Sequence, residues 1–400
     1  MNKIELLSPA GSLEKLKIAL MYGADACYIG GYKYNLRANA INFSLGEIKE
    51  ACNYAHKLGK KIHVTVNIIF HNEETKDIVS YLKELEDARV DAIIVSDPLI
   101  LDLLEEHNIK IPVHISTQAS SLNYETVLFW KSKGVTRVVL ARELHKDEIT
   151  EIINKTGIEI ETFVHGAMCS SYSGRCVLSN YFTGRDANRG GCAQICRWTF
   201  KLCNDKKEEM ATEPDFSLAV KDLSLINNLE EMIEIGISSL KIEGRMRSNY
   251  YIATVVSTYR EAIDNYYNNT LTLDKKKQFV KVLNRVANRD SKEQFFKTFP
   301  DKNSSYYIGR NEVSNQDYLG LVLDYDERNN LVILTERNYF KKGDEVEFFG
   351  PNIETFSFII NEMYDEDDNL IEVANHPEQI VKIKIDKKLY KNNIMRIKIK

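Results

Sequence analysis

From residue 4 to about residue 260, short β-rich runs alternate with amphipathic helical ones, and no other feature narrows the fold as much. The runs are "IELLS" (4–8), "ACYIG" (26–30), "KIHVTVNII" (61–69), "DAIIVSD" (91–97), "IPVHIST" (111–117), "VTRVVLA" (135–141), "EIETFVHG" (159–166) and "SLKIEG" (239–244). Between them lie segments with a period near 3.6. In 44–59, Leu45, Ile48, Ala51, Cys52, Ala55 and Leu58 recur at helical spacing. Ser44 and Glu47 fit a capping box at the start of that helix, and Gly59 fits a stop at its end. Strands alternating with helices make a parallel sheet covered by helices. Eight of them predict a closed (βα)8 barrel, with an open doubly wound sheet as the alternative.

The alternation breaks twice. Residues 166–238 form an insertion of some seventy residues between the last two strands, a length that usually carries function. After a helix ending near Tyr267, "DKKKQFVKVLNRVANR" (274–289) and the polar stretch behind it read as a helical connector over 271–305. Alternating strands punctuated by "ERNN", "KKGD" and "DEDDN" then predict a small all-β domain, a barrel or sandwich, over 306–400. The first domain is accordingly expected to span 1–270.

A net charge of −5 argues against a protein that coats nucleic acid along its whole surface, while leaving room for local basic patches. No apolar run approaches the roughly 18 residues of a membrane helix, and "MNKIELLSPAGS" lacks a secretory signal's apolar core. The expectation is a cytoplasmic protein with no membrane contact. In a reducing compartment, clustered thiols hold metals or do chemistry more often than they form structural disulfides.

Five of the seven cysteines fall in the insertion, spaced C-x6-C-x15-C-x3-C-x6-C at 169, 176, 192, 196 and 203. Four thiolates can hold a tetrahedral zinc or an iron–sulfur cluster, and spacing alone leaves both open. Cys27 in a strand and Cys52 on an apolar helix face read as inert core residues. Arg175, Arg185, Arg189, Arg197 and Lys201 surround the thiols, with Asp186 the only acid between 169 and 203. Such a collar offsets thiolate charge and offers guanidiniums to carboxylates or phosphates.

A (βα)8 barrel keeps its active site at the C-terminal strand ends. Ser8, Asn67, Asp97, Ser116-Thr117-Gln118, Arg142-Glu143, His165, Glu243 and Arg245 occupy such positions. Asp97 as a helix cap and Arg142 with Glu143 as an ion pair are the plainer readings of those residues. The last twenty residues hold eight Lys or Arg against one Asp and read as a strand pair with a basic face, either a solvated edge or an RNA-tracking surface. H-E-x-x-H, G-x-S-x-G and P-loop patterns are absent.

"ETFVHGAMCSSYSGRCVLSNYF" (161–182), "GGCAQICRW", "KDLSLI", "SLKIEGRMRSNYY", "ELLSPAGS" and "YGADACYIGG" closely resemble the signatures of the family historically named peptidase U32. "FKKGDEVEFFGP" and "VANHPEQIV" resemble the C-terminal domain of its tRNA-hydroxylating branch. The resemblance covers nearly the whole chain. It implies a barrel-like catalytic domain, a cysteine-held [4Fe–4S] cluster and oxygen-independent hydroxylation of RNA. In one branch this makes 5-hydroxyuridine at tRNA position 34, with prephenate as the hydroxyl source. It also implies Cys169, Cys176 and Cys192 as cluster ligands, with Cys196 as the fourth and Cys203 or Ser224 as alternatives, Ser224 standing where many relatives have cysteine.

The expected enzyme is therefore an RNA-modifying hydroxylase, with tRNA (its anticodon region) and a small carboxylate as substrates and a protein subunit as a further possible partner. His165, Arg142, Glu243 and Arg245 are its catalytic candidates. Asn67, Gln118, Arg175, Arg197 and Arg247 are its substrate-binding candidates. The alternatives are a metal or thiol peptidase, with Cys169 and His165 as nucleophile and base, and a non-catalytic subunit stapled by its metal.

Overall fold

The structure, a computed structural model, describes residues 3–36, 42–210, 215–286, 289–306 and 317–399. Strands β1 (Glu5–Pro9), β2 (Ala26–Gly30), β3 (Lys61–Val66), β4 (Ala92–Val95), β5 (Val113–Ile115), β6 (Arg137–Val139) and β7 (Glu159–Gly166) run parallel in sequence order. A short strand β8 (Asp222–Ser224) lies antiparallel against the end of β7, with His165 opposite Ser224. β9 (Ser239–Ile242) pairs in parallel with both β1 and β7, so that Leu240 faces Leu6 on one side and Thr162 on the other. That double pairing closes an eight-stranded barrel and rules out the open sheet.

Alternation along the strands sends Leu6, Ile29, Val64 and Ile160 outward, where they join one continuous core with the surrounding helices. The expected capping box is present, Ser44 bonding to the backbone of Glu47 and the Glu47 side chain reaching back. The lumen is unlike the usual barrel interior of branched apolar side chains. Arg137 on β6 bonds Glu5 on β1 (2.5 Å) and Glu161 on β7 (3.1 Å), and Lys241 on β9 bonds Glu161 (2.8 Å). The rings of His63 and His114 meet edge-on at 4.7 Å, and Leu7, Ala26, Tyr28 and Ile94 form a small separate apolar cluster.

The long helix Asn249–Tyr267 buries Val255, Val256, Tyr259 and Ile263 against the barrel. The helix of the expected connector, Leu273–Val286, joins the same core through Phe279 and Leu283. Ser291–Lys292 pairs with β8, so this segment is packed onto the barrel along its described length.

The C-terminal domain is antiparallel and all-β. Its seven-stranded sheet runs Phe356–Ile359, Glu345–Phe349, Ile394–Ile397, Tyr318–Asp326, Leu331–Glu336, Ile380–Lys384, Met363–Tyr364. The two end strands are consecutive in sequence, separated by residues 360–362. Seven flat strands would set them about 29 Å apart, whereas that connection reaches about 14 Å. The sheet therefore rolls up on itself. "FSFIINEMY" (356–364), which its β-rich composition reads as one strand, is split to make that link.

The basic tail is a second correction. Ile380–Lys384 and Ile394–Ile397 do not pair, because Tyr318–Asp326 and Leu331–Glu336 lie between them. Val381, Ile383 and Met395 belong inside the roll, Ile394 joins the core on the barrel side, and each strand has a neighbour on both sides, so neither is an edge. Their cations are matched locally, Lys382 with Asp368, Lys388 with Glu327, Arg396 with Glu347 and Lys398 with Glu345. This domain docks on the barrel through a parallel stack of Tyr250 and Tyr318 (centroids 5.1 Å apart) and a 2.6 Å bond from the Tyr22 hydroxyl to the Asn392 carbonyl. Among the described residues, no helix is long and apolar enough to cross a membrane.

Candidate active site

A cavity of about 210 Å³ opens at the C-terminal ends of the barrel strands. Asn67 after β3, Gln118 after β5, Arg142 and Glu143 after β6, and Glu243 and Arg245 after β9 reach it from the barrel. The cysteine insertion supplies the opposite wall, and specific bonds fix it there. The Arg142 guanidinium lies 3.8 Å over the Phe163 ring and donates to the Ala167 carbonyl at 2.7 Å, which holds the first residues beyond β7. Ser173 donates its N–H (3.0 Å) and hydroxyl (3.2 Å) to Glu143 Oε1 and accepts from the Arg142 N–H. Gly174 has φ +73, and a Cβ there would stand 1.9 Å from the Gln118 carbonyl oxygen. Only glycine lets the loop run this close to the end of β5. Farther on, the Ile69 N–H donates to the Asn188 carbonyl at 3.2 Å.

Cys169, Cys176, Cys192 and Cys196 all line this cavity as free thiols. Cys203 sits in an exposed hairpin opposite Glu209, and Ser224 on β8 bonds the Tyr259 hydroxyl; neither is part of the lining. Burial first, then Cys169 and, more weakly, Cys192, push the Cys196 thiol up, against the pull of Arg197 and a Ser170 hydrogen bond. Among the described residues, no three His, Cys, Asp or Glu side chains stand close enough together to hold a metal ion as placed. In kind and location the four thiols fit a thiolate-bound centre. Mutual repulsion among neighbouring sulfurs is what a bound cation relieves. Cys27 and Cys52 are buried, which pushes both thiols up, Cys52 to about 12, as inert core residues require.

Of the other candidates, Asn67, Gln118, Arg142, Glu243, Arg245 and Arg197 line the cavity. Arg245 is buried and held by Asn35 (2.6 Å) and Asn42 (3.3 Å). Glu243 accepts from the Tyr28 hydroxyl at 3.1 Å, and its backbone passes so close to Gly166 (φ +110) that a Cβ there would stand 2.2 Å from its carbonyl oxygen.

His165, Arg175 and Arg247 are not in the lining. Strand alternation would point His165 inward with Glu161 and Phe163, but a bulge shifts the β7–β9 register between Phe163 and His165. The ring turns instead toward Tyr259, 3.4 Å from its hydroxyl, and burial, helped by Arg247, pulls its pKa down to about 3. Arg247 pairs with Asp222 and Arg175 bonds Ser120. Arg189 is paired with Glu73 and Glu74, and Lys201 with Glu209. Asp97 caps locally, accepting from the N–H groups of Leu99 and Phe70. Arg142 and Glu143 bind the insertion and make no ion pair with each other among the described residues.

Lys241 is the lining residue that sequence reasoning passed over. It is 5% exposed, 4.6 Å over the Tyr28 ring and bonded to Glu161. Its signal was a lysine amid the apolar residues of "SLKI". Glu143 Oε2 is a second feature, a buried carboxylate oxygen with no hydrogen-bond partner among the described residues.

The profile described as "Peptidase family U32" matches residues 11–306, and "Peptidase family U32 C-terminal domain" matches 314–396. The chain is 51% identical to "tRNA hydroxylation protein P1" of Bacillus subtilis (strain 168), over 99% of its own length and 95% of the relative's. It is 39% identical to "tRNA hydroxylation protein P" of Escherichia coli (strain K12), over 66% and 69% of the two chains. It is also 40% identical to the "23S rRNA 5-hydroxycytidine C2501 synthase" of the same organism, over 66% of this chain and 40% of that one.

Proposed function

The chain belongs to peptidase family U32, and on that premise we propose that it is an RNA-hydroxylating enzyme acting on tRNA. In finer terms the proposal is formation of 5-hydroxyuridine at position 34, in the anticodon, with prephenate as the hydroxyl source and a [4Fe–4S] cluster as cofactor. The observation that carries it is one cavity lined by four free thiols and by Arg142, Lys241 and Arg245.

Cys169, Cys176, Cys192 and Cys196 would hold the cluster, which when bound supplies one-electron redox chemistry or a Lewis-acidic iron. The chain's own residues do the rest. Arg245, fixed by Asn35 and Asn42, and Lys241 give a small carboxylate a cationic seat in a site with little water. Glu143, through Oε1, holds the Ser173 N–H and hydroxyl and so fixes the loop between Cys169 and Cys176. Arg142 orients the thiol loop through the Ala167 carbonyl.

The Cys169–His165 pair expected of a thiol peptidase is not assembled in this cavity. Among the described residues no histidine lines it, and His165 is turned away from Cys169. The test is mass spectrometry of tRNA from a deletion strain. Position 34 should lose its 5-hydroxyuridine, regain it with the wild-type gene and not with Cys169→Ser. An unchanged uridine 34 profile on deletion overturns the proposal.

A further inference from the structure

Four exposed aromatic side chains, Tyr172, Tyr181, Phe182 and Trp198, lie on the cysteine insertion. Tyr181 is 86% exposed and Trp198 46%. The short helix Leu178–Thr183 turns Leu178 and Ser179 into the cavity lining and Tyr181 and Phe182 out to solvent. Phe182 meets Trp198 edge-on at 6.5 Å and Phe200 at 5.9 Å, so these rings form one ledge. Tyr172 both lines the cavity and is exposed, and Arg197, next to Trp198, lines it too. The ledge thus runs into the mouth of the active site.

Its charge sets its partner. Arg185 follows this helix and has no side-chain hydrogen bond or ion pair among the described residues. Arg175, in the loop before that helix, is exposed and among the described residues bonds only Ser120 through its side chain. An apolar protein partner has no use for unneutralised guanidiniums, whereas a phosphodiester chain matches cations interleaved with rings that stack on bases. The basic C-terminal segment offers less, because four of the seven described cations in the last twenty residues, Lys382, Lys388, Arg396 and Lys398, are paired with acids of their own domain.

Resting on the RNA reading above, we infer that this rim of the insertion is a base-stacking platform for the single-stranded nucleotides flanking the target. Tyr181 and the Phe182–Trp198 pair take neighbouring bases, Tyr172 stands at the entrance beside the target, and Arg185 and Arg175 face the backbone. The insertion would then serve two purposes, carrying the thiols on its inner face and the RNA on its outer one.

The test uses full-length protein purified without oxygen and a fluorescein-labelled RNA stem–loop with an unpaired loop, read by anisotropy. Stacking on an aromatic ring is worth about 1–3 kcal/mol per base, so Tyr181→Ala and Trp198→Ala should each weaken binding between about fivefold and a hundredfold. Tyr181→Phe should bind as the wild type does, and Tyr181→Leu as poorly as the alanine variant, which separates stacking from apolar bulk. Arg185→Gln should lower the slope of log affinity against log salt by about one. Among the described residues Tyr181 makes no ring contact, so its variants stay folded, and melting curves control for Trp198→Ala. If the wild type binds the RNA and both alanine variants bind it equally well, the platform is refuted while the RNA reading stands. Should the wild type bind no RNA, the RNA reading itself has failed. A dimer that Tyr181→Ala dissociates, with RNA affinity unchanged, would make the ledge a protein interface and overturn the inference.

Discussion

Glu161→Gln tests the charged barrel lumen on which the site floor rests. Glu161 is fully buried and divides its carboxylate between Lys241 Nζ at 2.8 Å and Arg137 Nη1 at 3.1 Å. Without its charge, Arg137 keeps Glu5 and Glu159. Lys241 keeps no carboxylate among the described residues, only the faces of Tyr28 at 4.6 Å and Phe163 at 5.6 Å. Breaking a buried pair costs about 3–5 kcal/mol, and the lower end applies because the glutamine amide oxygen can still accept a hydrogen bond from one of the two cations. The expected loss is about 3 kcal/mol, a fall in Tm of roughly 6–12 °C at 2–4 °C per kcal/mol for large domains. Calorimetry and urea unfolding measure it. Burial opposes ionisation of Glu161, but Lys241 and then Arg137 outweigh it and hold the carboxyl below its ordinary value. A depressed folded pKa stabilises above the unfolded value of about 4.3 and loses that contribution as pH falls through the folded one. The wild-type advantage should therefore be full at neutral pH and shrink below about pH 4. A difference under about 1 kcal/mol at neutral pH, or one that persists unchanged into acid, would refute the account of the lumen.

Three further outcomes are expected. Iron content of protein purified without oxygen should fall in Cys169→Ser, Cys176→Ser, Cys192→Ser and Cys196→Ser and stay at the wild-type level in Cys203→Ser, since only the first four thiols line the cavity; equal loss in Cys203→Ser would disprove that ligand set. Burial pulls His63 to about 4 and His165 to about 3, so both are neutral in the fold and protonate near 6.5 in the unfolded chain. Stability should then drop as pH falls from about 6.5 toward those values, and His63→Asn should flatten the slope by about 1.4 kcal/mol per pH unit; an unaltered slope contradicts the burial argument. Gly174→Ala, whose Cβ would meet the Gln118 carbonyl at 1.9 Å, should cut tRNA hydroxylation by at least about tenfold while leaving the melting of the C-terminal domain alone; normal activity would mean that the loop is not pinned there.

The eight barrel strands were legible because each alternates an apolar, helix-facing set with a second set, and that period survives in sequence. Glu5, His63, His114, Arg137, Glu161 and Lys241 stood in that second set, yet nothing local says that Arg137 meets Glu5 across the lumen. Strand-end residues such as Asn67, Gln118, Arg142 and Glu243 were found because polarity at a C-terminal strand end has no packing reason. His165 obeyed the same rule and was misplaced, since a one-residue bulge reverses the facing without any mark in "FVHG". The basic strands near 380 and 396 alternate like a hairpin, but their partners come from residues 318–336, 345–349 and 363–364, and strand neighbours that distant in sequence leave no periodic trace. Cysteine spacing named five candidate donors and could not separate Cys196 from Cys203. What separates them is that Ile195 is buried at the head of its short helical turn while the hairpin around Cys203 is exposed throughout.

All the insertion's thiols come from one stretch of chain, yet their arrangement is not a property of that stretch. Its own regular structure amounts to a six-residue helix and two three-residue turns, too little to fix four side chains around a cavity. The restraints come from the barrel: Arg142 on the Ala167 carbonyl, Glu143 on Ser173, the β5 end against Gly174, and Ile69 on Asn188. They reach it from the segments after three different strands, β3, β5 and β6, which are brought together only when β9 closes against β7 and β1. Closure in turn depends on Gly166, where the β7 backbone passes beside Glu243. Formation of the thiol site is thus coupled to closure of the barrel, and residues that touch neither thiol nor substrate, Gly166 and Glu143 among them, help to determine whether four sulfurs can act together.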